Sequence, residues 1–339
     1  MSREAALQPF DRAAVALNED WHTNLDGKQI QRWAEPAGAR LARERDAEVR
    51  ESESGRPPEA PENPPEILAI GLDGGRIQMR EKDRETGLRW REDKVAAVTS
   101  YLPTADGPKP LVTTYVATME KAETFGRLAR VEAERRGLCR AAQVLVLGDG
   151  GNWIDSVVAR EFPEATRILD WYHAAEHLHD CARAVHGPED PRTKRLAEKL
   201  KGWLWAGRTE RVIRELERLS RRLGAPRDAD GPEDPRRVLA NNVTCFRRNA
   251  PHMNYPKYRR RGWPIGSGNV ESGIKQFNKR VKGTEQFWQP PGAEAILCLR
   301  GLWLDQDDRW KHYWNSRPAY IRAAYCVTRP GGLASARKP

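Results

Sequence analysis

Val144-Leu-Val-Leu-Gly-Asp-Gly-Gly151 decides how this 339-residue chain is read. Four consecutive apolar residues, two of them β-branched, predict a strand buried on both faces, as in a sheet covered by helices. It runs into Gly148-Asp149-Gly150-Gly151, and a helix is expected from about Asn152. An earlier segment has the same form: Ile67-Leu-Ala-Ile70 leads to Gly71-Leu72-Asp73-Gly74. Strand ends of this kind face the crevice where open α/β sheets place their ligands, so Asp73 and Asp149 are candidate site residues. Glycine beside each permits a sharp turn and close approach of a phosphate or metal. Asp-Gly is also an ordinary turn dipeptide, and either aspartate alone would be read that way.

Further strand-like runs are expected at about 94–101 and 111–117. The turn residues between them, Pro103 to Pro110, suggest antiparallel neighbours. A helix with Phe125, Leu128 and Ala129 on one face should end at Gly137. A shorter strand at about Thr166 to Leu169 leads into Asp170 and another helix. Three strands, a helix, then two strands alternating with helices is the order of an RNase H-like core: α/β, with a mixed five-stranded sheet and flanking helices. Other α/β folds share that order.

The stretch from Gly187 to Asn249 breaks the alternation and reads as wholly helical. Gly-Pro-Glu-Asp-Pro-Arg stands at 187–192 and again at 231–236. Asp190 and Asp234 suit N-caps, and Pro191 and Pro235 suit the first helical position. The expected organisation is a charged helical segment over 1–52, whose pattern Pro36 and Gly38 interrupt, and a Pro/Glu-rich linker over 53–66. The RNase H-like core follows over 67–186, then a helical insertion over 187–262. The core resumes over 263–316 and ends in a tail over 317–339.

The mean hydropathy of −0.78 and 31% charged residues describe a water-compatible chain. No run of about 18 apolar residues occurs, which argues against a membrane helix. The start, Met1-Ser-Arg-Glu-Ala-Ala-Leu7, has no apolar signal stretch, so a cytoplasmic, nucleoid-associated protein is expected. Five scattered cysteines form no CxxC pair and read as reduced thiols. The net charge is +10, and most of it is local. Between Ala240 and Pro290, ten Lys or Arg stand against two Asp or Glu. Such a stretch suits a polyanion, because cations on phosphates release condensed counterions, although a solvated basic surface has the same composition.

Within that stretch, Ile265-Gly-Ser-Gly-Asn-Val-Glu271 opens a helix with Glu271 in its first turn. Lys275, Asn278 and Lys282 continue one polar face, while Ile274, Phe277 and Val281 occupy a core face. A carboxylate in line with ammonium groups suits a metal ligand beside a DNA backbone. Glu271–Lys275 is equally an ordinary i,i+4 pair. Elsewhere, His173-Ala-Ala-Glu176-His177 matches H-x-x-E-H, a zinc-hydrolase pattern that also recurs by chance. Trp203, Trp205, Trp263 and Trp288 stand near basic residues, where exposed rings could stack on bases. Partly buried core is the plainer reading for Trp203 and Trp205.

Taken together, five segments resemble the DDE transposases of bacterial insertion sequences, specifically the Kra-type group related to the Mutator-like superfamily. They are Ile70-Gly-Leu-Asp-Gly74, Leu147-Gly-Asp-Gly150 with Trp153, and Ile168-Leu-Asp-Trp-Tyr-His-Ala-Ala-Glu-His-Leu178. The others are Pro264-Ile-Gly-Ser-Gly-Asn-Val-Glu-Ser272, running on through Arg280-Val-Lys282, and Ala293 to Arg300. The resemblance implies that Asp73, Asp149 and Glu271 form a triad holding two Mg²⁺ or Mn²⁺ ions, with Asp170 and His173 next to it.

It further implies DNA strand cleavage and joining, double-stranded DNA (transposon ends and target) as partner, and a homo-oligomer assembled on that DNA. Lys275, Asn278, Lys279, Arg280, Lys282, Arg259, Arg260 and Arg261 are the expected DNA contacts. Relatives of this type usually carry an N-terminal end-recognition region, often with cysteine zinc ligands. No cysteine precedes Ile67 here, so a chain without that region is expected. The alternatives are a DNA-binding remnant without activity, an RNase H-like nuclease of another kind, and the zinc hydrolase.

Overall fold

A computed structural model describes residues 1–83, 86–266, 268–283 and 286–317. Within the helix Gly268–Val281, the side chains of Asn269, Val270, Glu271 and Ile274 lie outside that description. Helices α1 (Ser2–Leu7), α2 (Phe10–Trp21) and α3 (Gly27–Glu53) come first. Strands β1 (Ile67–Gln78), β2 (Trp90–Thr104) and β3 (Gly107–Thr118) follow, then α4 (Ala122–Arg135), β4 (Gln143–Gly148), α5 (Asn152–Glu161), β5 (Thr166–Leu169) and α6 (Trp171–His186). The rest is helical: α7 (Pro191–Trp205), α8 (Thr209–Leu223), α9 (Pro235–Asn249), α10 (Tyr255–Arg260), α11 (Gly268–Val281), α12 (Pro290–Leu304) and α13 (Arg309–Asn315).

Among the described residues the strands form one sheet in the order β3-β2-β1-β4-β5. The β1–β2 and β2–β3 pairs are antiparallel, while β1–β4 and β4–β5 are parallel. This is the mixed α/β sheet of an RNase H-like core. Strand alternation sends β1 side chains to two faces. Leu68, Ile70 and Leu72 pack with Phe125 and Leu128 of α4 and Ile154 and Val157 of α5. On the other face, Ile67 and Ala69 meet Leu178 of α6 and Phe246 of α9, and Ile77 meets Phe277 of α11 and Ile296 of α12. The apolar run of β4 is divided the same way, Val146 to one face and Leu145 and Leu147 to the other.

Local start signals act as expected in the helical stretch. The Arg192 N–H donates to Asp190 at 2.8 Å and the Arg236 N–H to Asp234 at 2.9 Å, capping α7 and α9 ahead of Pro191 and Pro235. Gly137, at φ 93°, turns the chain just beyond α4.

The N-terminal segment differs from expectation. Helix α3 runs unbroken through Pro36 and Gly38. A capping box starts it: the Gln29 N–H donates to Asp26 at 2.7 Å and the Asp26 N–H to the Gln29 side chain at 2.9 Å. An interior proline destabilises a helix by about 3 kcal/mol. Here Ile30, Ala34 and Ala37 on either side of it are buried in one cluster with Phe277, Val281, Ile296 and Leu297, and that packing outweighs the lost hydrogen bond. Gly38 is a contact residue, since a Cβ there would stand 2.1 Å from the Ala295 carbonyl oxygen of α12. The segment is therefore part of the core that supports α11 and α12. Among the described residues no helix is long and apolar enough to cross a membrane.

Gly38→Val should separate α3 from α12, because the obstructing atom belongs to backbone. A destabilisation of about 3 kcal/mol is expected in urea unfolding, at the upper end for overpacked cores. An unchanged midpoint would contradict the close helix contact.

Candidate active site

The last rung of the parallel β1–β4 ladder is Leu72 with Gly148, and the last rung of β4–β5 is Gly148 with Leu169. Asp73, Asp149 and Asp170 are the next residues on three adjacent strands. The Asp170 N–H still donates to the Gly148 carbonyl at 2.9 Å. The two aspartates picked out from sequence are thus neighbours at one sheet edge, and Asp170 extends the row. Asp73 does not end its strand, however. β1 continues to Gln78, paired there with β2 alone. The chain goes straight on where a turn was expected.

Another reason accounts for the glycines after Asp73. Gly75 pairs with Asp93 across β1–β2, and a Cβ on Gly75 would stand 2.7 Å from Asp93 Oδ1. Gly75 makes room for a carboxylate from β2 that sequence reading missed. Asp93 is 1% exposed, and its Oδ1 has no hydrogen-bond partner among the described residues. Burial pushes its carboxyl up to about 6, against the pull of Lys282 on α11.

Each edge aspartate is held by local N–H groups. Gly74 donates to Asp73 Oδ1 at 2.6 Å, and Gly151 donates to Asp149 Oδ1 at 2.8 Å. Asp170 is fully buried and caps α6, accepting from the N–H groups of Tyr172 (2.6 Å) and His173 (3.2 Å). Burial raises the Asp73 carboxyl to about 6, with repulsion from Asp149 and Asp170 adding to it. The Gly74 N–H and His173 oppose the rise. A divalent cation between these groups would offset both the burial and the repulsion, and hard carboxylate oxygens are the donors that Mg²⁺ takes. The two aspartates are an incomplete set: among the described residues no group of three His, Cys, Asp or Glu could hold a metal ion.

The third expected donor, Glu271, has its side chain outside the described residues. Its helix is anchored beside the row. The Trp171 N–H, next after Asp170, donates to the Ile265 carbonyl at 2.9 Å. Gly266 lies against Tyr172, where a Cβ would come within 2.5 Å of the ring. Two residues later α11 begins and packs across β1 and β2 on the Asp73 face. Gly273 sits against Tyr115 of β3, and Phe277 meets the same ring edge-on at 6.1 Å. Phe277 and Val281 are buried as expected, while Ile274 lies outside the description.

Of the expected DNA contacts, Lys275, Lys279, Arg259, Arg260 and Arg261 are exposed, and Asn278 and Lys282 are half-buried. Arg280 is a correction, being fully buried. Its Nε donates to the Ala5 carbonyl at 2.5 Å, and its guanidinium lies over the rings of Phe10 and Trp288. It ties α11 to α1 and has no access to a phosphate. Trp263 and Trp288 are buried too, so neither can stack on a base. Trp203 is half-buried beneath the Arg211 guanidinium, whereas Trp205 is 40% exposed, more open than a core residue.

Three further residues bear on the edge from the helical stretch. Arg248 donates to the Gly150 carbonyl and to Asn152 Oδ1. Asn249 is buried beneath Gly150, where a Cβ would stand 2.9 Å from its Nδ2. Tyr255 donates its hydroxyl to the Leu169 carbonyl at 3.1 Å. These contacts clamp the turns after β4 and β5. No local motif signals them. In the H-x-x-E-H segment, Glu176 is 72% exposed and 3.9 Å from His173 Nδ1. Among the described residues this segment makes no metal-holding group either.

No family model and no curated protein matches the chain. Among solved structures it is similar to the Drosophila P element transposase strand transfer complex, with 10% identity and a TM-score of 0.39, over 91% of this chain and 92% of that chain.

Asp73 and Asp93 hold their protons more tightly folded than unfolded. Their contribution to stability is therefore full below the ordinary value of 3.8 and is lost as pH rises through about 6. Asp93→Asn removes one such group. It should stabilise the fold at pH 7.5 by at most about 3 kcal/mol, read as a higher thermal midpoint, and leave the midpoint unchanged near pH 4. Equal destabilisation at both pH values would show that Asp93 acts through its shape alone.

Proposed function

We propose that this chain is a DNA transposase of the DDE type, which cleaves DNA strands and joins the released 3′-hydroxyl to target DNA. The observation that carries it is the adjacency of Asp73 and Asp149 on neighbouring parallel strands, on the sheet face crossed by the helix that bears Glu271. The motif resemblance to Kra-type insertion-sequence transposases gives the reading its finer form.

In this reading Asp73, Asp149 and Glu271 hold two Mg²⁺ or Mn²⁺ ions. Bound there, the ions supply the charge that activates the attacking oxygen and stabilises the leaving one in an in-line displacement at phosphorus. The chain's own groups do the positioning. The N–H groups of Gly74 and Gly151 each occupy one carboxylate oxygen and so set how Asp73 and Asp149 present the other. Asp170, fixed by the start of α6, holds His173 beside Asp73. Lys275, Lys279, Arg260 and Arg261 offer positive charge to the phosphates on either side. Pairing two transposon ends requires more than one copy, so an oligomer on DNA belongs to the proposal.

Asp73→Asn, Asp149→Asn and Glu271→Gln should each lower Mg²⁺-dependent strand cleavage by at least about a hundredfold, more than the loss of an outer metal partner gives. Non-specific duplex binding should persist. Cleavage at the parental rate in any of the three removes that residue from the triad. DNA binding without any Mg²⁺ binding would instead identify a DNA-binding remnant.

Mg²⁺ binding measured by calorimetry should strengthen from pH 5 to pH 7.5, because the proton on Asp73 must leave first. Asp73→Asn should flatten that dependence. A parental affinity independent of pH would place the metal elsewhere.

A further inference from the structure

A hollow of about 360 Å³ between α3 and α12, and one of about 290 Å³ between α2 and Arg280, are lined by ion pairs and side chains that the core already uses. A third, of about 420 Å³, opens at the start of α6, against the two residues that follow Asp170. Its walls include Tyr101 of β2, Trp171 and Tyr172 from the first turn of α6, Trp205 at the end of α7, and Ile265 and Gly266 on the way into α11. It is thus built from the same junction that anchors the Glu271 helix.

Two of these rings are conspicuously open, Tyr172 at 56% exposure and Trp205 at 40%. Both are held in place. Trp171 meets Trp205 edge-on at 4.8 Å and is itself backed by Tyr255 at 5.0 Å. The Arg259 guanidinium lies 3.8 Å from the Trp205 ring centre and donates to the Trp205 carbonyl at 2.9 Å. The ring of Tyr172 fits only because residue 266 is glycine. Exposed aromatic surface that is braced by buried neighbours and an arginine is organised for contact rather than left over from packing.

We propose that this hollow takes an unpaired nucleobase of the DNA strand held at Asp73 and Asp149. The inference rests on the strand-cleavage reading and adds a second recognition element to it. Flat rings stack on any base through its π face, and a base inside a duplex cannot reach them without leaving the stack. The exposed Arg260 and Arg261, next to Arg259, place positive charge where the flanking phosphates would run. Trp171 and Tyr172, the two residues after Asp170, tie the hollow to the sheet edge that would hold the scissile strand. An unpaired base there also opens the strand for attack.

The test uses the full chain with two oligonucleotides of the same sequence, a blunt duplex and a duplex with a single-stranded 3′ overhang carrying 2-aminopurine. The parent should quench 2-aminopurine and prefer the overhang. Trp205→Ala and Tyr172→Ala should weaken overhang binding about tenfold and abolish the quench, with blunt-duplex binding unchanged. Trp205→Phe should keep most of the preference. Equal binding of both oligonucleotides by the parent overturns the proposal. So does an equal loss for both in the alanine variants, or a change in oligomer mass without a change in overhang preference, which would make the hollow a contact between copies. If overhang preference fails while Asp73→Asn still abolishes cleavage, only the base site falls. If the preference holds in a parent that never cuts DNA, the cleavage reading falls instead.

Discussion

Negative charge concentrated at the open edge of a buried sheet is the constraint around which the rest is arranged. Three aspartates follow the last rungs of the parallel ladders that join β1, β4 and β5, and Asp170 is wholly buried. Burial, with repulsion from Asp149 and Asp170 added to it, raises the proton affinity of Asp73. The protein spreads the load through short bonds from its own backbone: Gly74 to Asp73, Gly151 to Asp149, and the start of α6 to Asp170. These bonds orient the carboxylates without neutralising them, as the proposed metal site would require.

Everything packed around that edge acts to hold it still. From one side, α11 arrives through a loop bonded to the residue after Asp170. Behind it, α12 and α3 close at Gly38, and Arg280 and Arg300 donate to the carbonyls of Ala5 and Ala6 at the end of α1. Arg280 stays buried with no carboxylate partner among the described residues, and burial lowers its guanidinium to about 9. Its bond to a helix-end carbonyl and its two aromatic neighbours offset part of the lost solvation. On the other side, Arg248, Asn249 and Tyr255 seat the helical stretch onto the turns after β4 and β5. The charged N-terminal helices and the helices from α7 to α10 are thus both part of the support for one edge.

Local chemistry made much of this legible in advance. The run Val144–Leu147 is apolar throughout because both of its faces are covered, and that alone pointed to a central strand. Asp190 and Asp234 ahead of prolines marked helix starts, since these caps join residues only two apart. The apolar face of α11, Phe277 and Val281, followed from helical periodicity. Arg280 was misjudged for the same local reason: on composition it is one more cation in a basic run, and nothing within a few residues shows that Ala5, Phe10 and Trp288 enclose it.

The sequence by itself determined which segments become strands and helices, because period, caps and turn residues act over a few residues. It also marked the two aspartates that stand beside each other at the sheet edge. Only the tertiary structure decided that β1 runs past Asp73, that Gly75 makes room for Asp93, and that Tyr172 and Trp205 line one hollow. Those outcomes depend on strand register and on which distant surfaces touch. Register and contact are collective results of burying the whole core, so no short window of residues contains them.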